Sequence, residues 1–90
     1  MPRWTTSDEE NERVRVLFER VMETISSNDQ ILIMKDGSQI TGKVLPGTIR
    51  NNKGQGVPER CAATIVIRSA DQEIEVDALD VETVVAGPLN

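Results

Sequence analysis

Histidine and tyrosine are absent from this chain, cysteine occurs once, and Trp4 and Phe18 are its only aromatic residues. Each absence excludes something. Without histidine the chain lacks the commonest general base, the usual activator of a nucleophile and the commonest metal ligand. A single cysteine, Cys61, rules out an internal disulfide and a cysteine metal cluster. With so few aromatics, the core must be built from Ile, Val, Leu and Met. No apolar run approaches the ~20 residues of a membrane-spanning helix. The start, Met1-Pro2-Arg3-Trp4-Thr5-Thr6, has no apolar signal core. A cytoplasmic, non-catalytic protein with no cofactor and no bound metal is the resulting expectation. Its 90 residues suffice for one small domain.

Charge is plentiful but unevenly placed. The net charge is −5. Residues 1–30 carry four basic and seven acidic side chains, residues 31–68 six basic and two acidic, and residues 69–90 none basic and six acidic. A uniformly acidic protein binds nucleic acid poorly, because phosphate neutralisation dominates that affinity. A basic middle could still present one positive face, or it could lie beside the acidic strands and neutralise them.

Residues 7–26 read as one amphipathic helix. Ser7 caps it, Glu10 three residues on completes a capping box, and Asp8, Glu9 and Glu10 favour the positive end of the helix dipole. Val14, Leu17, Phe18, Val21, Met22 and Ile25 recur at helical spacing, which predicts an apolar stripe packed on the rest of the domain.

From residue 30 the apolar period changes to two. Gln30–Lys35 reads as a strand, Asp36-Gly37 as a hairpin corner and Gln39–Leu45 as the returning strand, with Pro46-Gly47 interrupting the ladder and Thr48-Ile49-Arg50 placed to resume it briefly. Residues 51–60 form a long polar loop that no core can use. Cys61–Arg68 is the most β-prone run. Glu73–Asp77 alternates, with Ile74 and Val76 turned inward, residues 78–80 suit one tight helical turn, Val81–Val85 is a last strand and 86–90 a tail. One helix followed by five short strands, over residues 30–85, predicts a mainly β chain closed into a strongly bent antiparallel barrel, which removes exposed edges. A glycine in mid-strand allows such a bend, and Gly42 stands there.

The capped helix, the strand ending in Lys35-Asp36-Gly37, the Ile40-x-Gly42-x-Val44 pattern and the C-terminal VDALDVETVV resemble the Sm and Sm-like family of five-stranded barrels. Asp36, Gly37, Ser38, Ile40, Gly42 and Val44, with the long polar insertion after them, are similar to a small bacterial family of unknown function with a variant Sm-like barrel. That resemblance implies a fold rather than an activity. RNA-binding Sm proteins carry an Asn after the bent strand and an Arg-Gly pair between the last two strands. Asn51 is the nominal counterpart of the first, but Asp77 and Asp80 stand where the second would be and would repel phosphate.

Two functions follow as expectations. The first is a protein-interaction or scaffold module, contacting a protein partner or a second copy and forming a monomer or dimer, since Glu73, Glu75, Asp77, Asp80 and Glu82 crowd the edges that Sm rings pair. The second is an RNA-binding chaperone using the segment Lys43–Arg60, with Lys43, Arg50, Asn51, Lys53 and Arg60 as binding residues. In both, Gly37 and Gly42 have structural roles.

Overall fold

Ser7 starts the helix as expected: its hydroxyl accepts the Glu10 N–H at 3.2 Å. The other half of the capping box lands one residue early. Glu10 accepts from the Thr6 backbone N–H at 2.6 Å and the Thr6 hydroxyl at 2.8 Å, which holds its carboxyl below the usual range. The computed structural model describes residues 2–26, 29–52 and 58–87. Helix α1 (Asp8–Thr24) precedes five strands, β1 (Gln30–Met34), β2 (Gln39–Asn51), β3 (Cys61–Ser69), β4 (Gln72–Asp77) and β5 (Val81–Ala86). A 3-10 turn, Ala78–Asp80, links the last two.

The strands form one antiparallel sheet in the order β4-β3-β2-β1-β5. Strand β2 belongs to both halves. Its residues from Gln39 to Gly42 pair with β1, and from Lys43 to Asn51 it pairs with β3. The changeover falls at Gly42. A β-carbon there would lie 2.3 Å from the Arg68 carbonyl oxygen, so only glycine lets β3 approach so closely at the bend. Gly37 makes the corner at φ +91°, and Asp36 locks it by accepting from the Ser38 backbone at 2.9 Å.

One expectation is met and one needs correction. Pro46-Gly47 interrupts the ladder without ending the strand. The register shifts between Pro46 and Ile49, and the Thr64 hydroxyl accepts the Thr48 N–H at 2.9 Å, so pairing resumes to Asn51. The sheet, however, is not closed. Its edges, β4 and β5, meet only through the three-residue 3-10 turn and show no ladder with each other among the described residues. Strand β4 follows the projecting β3, whereas β5 follows β1. For the same reason Ile74 does not turn into a core. On an edge strand that no other described strand flanks, it stays exposed.

The core is aliphatic. Val14, Leu17 and Val21 of α1 pack with Leu32, Val44, Ile65, Ile67, Val81 and Val84. Phe18 is half-buried, while Met22, which was expected in this stripe, is 58% exposed. The N-terminal arm continues the line of β4. Strand β4 stops at Asp77, opposite Thr64, and beyond it Thr5 pairs with Cys61, donating to its carbonyl at 2.8 Å and accepting its N–H on the hydroxyl at 3.0 Å. Arg3 anchors the arm through Asp77, with its N–H at 2.9 Å and its guanidinium at 3.0 Å, and through Asp80.

Candidate docking groove

The five residues proposed from sequence do not converge. Lys43 lies at the bend, where its ammonium donates to the Ile25 carbonyl at the end of α1, so its charge serves the negative end of the helix dipole. Arg50 and Asn51, being adjacent on a strand, project to opposite faces. Arg50 lines a depression of about 530 Å³ together with the acidic Glu75 and Asp77. Asn51 shares a hollow of about 400 Å³ with Arg60, Asn52 and Trp4. Arg60 is also drawn to Asp8 at 3.1 Å, and its backbone N–H is held by Asn52 at 2.7 Å. Lys53 lies outside the described residues.

The larger feature lies beside α1, and of the four described residues Asn51 also lines it. A groove of about 800 Å³ runs between α1 and the projecting end of β2 and β3. Its floor is apolar: Val14, Phe18, Met22, Ile49 and Cys61. Met22 and Ile49 are 58% and 56% exposed, a considerable apolar surface to leave in water. At Gly42 strand β2 passes from pairing with β1 to pairing with β3, and Ile49 and Asn51 near its far end line the groove opposite α1. Asn11 fixes one end of the groove. Its amide donates to the Glu59 carbonyl at 2.7 Å, and its oxygen accepts from the Thr5 hydroxyl.

Carboxylates form the rim. Asp8, Glu12, Glu19 and Glu23 line it along α1, and Glu59 faces them from before β3. Arg15 lies among them but is held by Glu12, at 3.0 Å, and by Glu19. The hydrogen bond to Glu12 and the two carboxylates raise the Arg15 pKa above its ordinary value, and the Glu12 carboxyl falls below its own. Of its lining residues, Asn51 is a binding residue expected from the sequence. Phe18 and Met22 belong to the helical stripe. Ile49 is a further usable signal, a lone large apolar residue between Thr48 and Arg50.

No family model matches the chain, and none of the curated proteins matches it. Among solved structures it is similar to XC5848 from Xanthomonas campestris, whose crystal structure is described as adopting a novel variant of the Sm-like motif. That similarity has a TM-score of 0.63 at 19% identity and covers 98% of this chain and 96% of that one. The fold is therefore the variant Sm-like one, as the hairpin and the bent second strand implied. Among the described residues no helix is long and apolar enough to cross a membrane.

Proposed function

We propose that this Sm-like chain is a non-catalytic protein-interaction module that docks a peptide segment of a partner protein in the groove between α1 and β2. The observation that carries this reading is the exposure of Met22 and Ile49 over an otherwise apolar floor. Such patches on a small monomer mark interaction sites, and methionine suits one because its flexible side chain adapts to a partner. The test is affinity capture from the native host's extract with the wild-type chain and with a Met22→Gln, Ile49→Thr double variant, with and without nuclease. The reading expects a protein retained by the wild type, lost with the variant and indifferent to nuclease. Recovery that vanishes on nuclease treatment contradicts it.

A second reading, single-stranded RNA binding, is favoured by the hollow that joins Trp4, Asn51, Asn52 and Arg60. An indole supplies a stacking surface and the amides supply base-edge hydrogen bonds. The acidic neighbours of Arg50 and the Asp8–Arg60 pair count against it. RNA binding at roughly 50 mM salt that weakens steeply by about 200 mM and is lost in Trp4→Ala supports this reading, and no binding at the lower salt refutes it.

A further inference from the structure

We propose that the segment docked in the groove is cationic and amphipathic: two or three large apolar side chains seated on Phe18, Met22 and Ile49, flanked by Lys or Arg that meet the rim carboxylates. The inference rests on the docking reading above and specifies its partner.

Charge decides the class. Counting Arg20, which pairs with Glu23 at 3.5 Å, the rim and its ion-pair partners hold five carboxylates against three guanidiniums, those of Arg15, Arg20 and Arg60. These pairs lie on the surface: the Asp8, Glu12, Glu19 and Glu23 side chains are 94%, 59%, 54% and 62% exposed. Exposed pairs contribute little and exchange partners readily, so the carboxylates remain available to an incoming cation. An anionic lipid surface or a nucleic-acid backbone would meet net repulsion here. A second copy of this chain carries a net charge of −5, so its approach to an acidic rim is opposed overall.

Length agrees with a short segment. From Asp8 to Glu23 the rim follows α1 for ~22 Å. That span accommodates ~15 residues of helix or ~7 of extended chain. Opposite charge at the rim would speed encounter and fix orientation, while burial of the apolar anchors supplies the affinity.

The experiment is selection of a phage-displayed library of random peptides of ~15 residues on the intact chain. Selected peptides are then titrated against the wild type, the Met22→Gln, Ile49→Thr variant and a Glu19→Lys, Glu23→Lys variant. Circular dichroism and the urea midpoint check that both variants remain folded. The inference expects an excess of Lys and Arg around apolar residues in the selected peptides, and affinity falling about tenfold or more in each variant. Peptides that need Met22 and Ile49 but show no basic excess, or show an acidic one, overturn the inference and leave the docking reading standing. A selection in which no peptide depends on Met22 and Ile49 overturns both.

Discussion

Gln30 is fully buried, and its side-chain oxygen accepts the Val44 backbone N–H at 2.9 Å. Strand β1 begins at Gln30, opposite Gly42, so past that point β1 offers Val44 no backbone acceptor. The Gln30 side chain replaces the missing strand. Its amide also donates to the Thr24 hydroxyl at 2.7 Å and to the Val21 carbonyl at 3.4 Å, which ties the last turn of α1 to the bend. One residue thus satisfies both the helix end and the strand that leaves it.

Replacing Gln30 by Ala leaves the Val44 N–H buried without an acceptor and opens a void. The expected loss is about 3 kcal/mol of unfolding free energy, read from urea denaturation. Thr24→Val, which removes only one member of the network, costs about 1 kcal/mol.

The two hairpin glycines differ in kind, and their alanine variants should differ in cost. Gly42→Ala forces a methyl against the Arg68 carbonyl and should cost about 3 kcal/mol. Gly37→Ala meets open space and bears only the strain of its positive φ, about 1 kcal/mol. Equal urea midpoints for the two variants would show that β3 does not approach Gly42 as closely as described.

Asp77 gives the chain an acid-sensitive corner. Burial pushes its carboxyl up, but the Arg3 and Leu79 backbone N–H groups and the Arg3 guanidinium outweigh this and hold it below its ordinary value. A depressed native pKa contributes stability that is fully present above the unfolded value and lost as the pH falls through the native one. Asp77→Asn should therefore be less stable than wild type by about 1 kcal/mol near neutrality. That difference should narrow below about pH 4, which thermal unfolding across a pH series measures.

Assembly is a separate expectation. Strand β4 carries Glu73 and Glu75 at one edge of the sheet, and β5 carries Glu82 at the other. Charged edge strands discourage strand addition between copies. Light scattering should report a mass of one or two chains, and a mass of six or seven would contradict this.

Much of the fold was legible in the sequence, because it rests on local rules. The Ser7 cap, the Asp36-Gly37 corner, the bend at Gly42 and the tight turn at Ala78–Asp80 each need particular residue types at fixed offsets. What was not legible depends on chain segments distant in sequence. Pro46-Gly47 reads as an interruption of the ladder, but the Thr64 hydroxyl that bridges it lies in another strand. Gln30 reads as an ordinary strand residue, since its partners lie six and fourteen positions away. The groove was hidden for the same reason. Met22 fits the helical stripe, and only the tertiary arrangement, which leaves it exposed in one groove with Ile49, sets it apart. The basic residues of 43–60 looked like one patch because they are close in sequence, but a strand alternates its faces, and Lys43 and Arg50 stand seven positions apart along β2.

The double variant Met22→Gln, Ile49→Thr keeps a helix former in the helix and a strand former in the strand. Both positions are exposed, so each change should alter stability by no more than about 0.5 kcal/mol. A much larger loss in urea denaturation would mean that these side chains serve the fold rather than a partner.

The most direct measurement is a methyl chemical-shift map of the labelled chain, recorded as a library-selected cationic peptide is added. The account predicts that the Met22 and Ile49 methyl signals move first and furthest, while Ile74 on the β4 edge stays still. Shifts at Ile74 with Met22 and Ile49 unmoved would contradict it and place the docking surface on the open edge of the sheet.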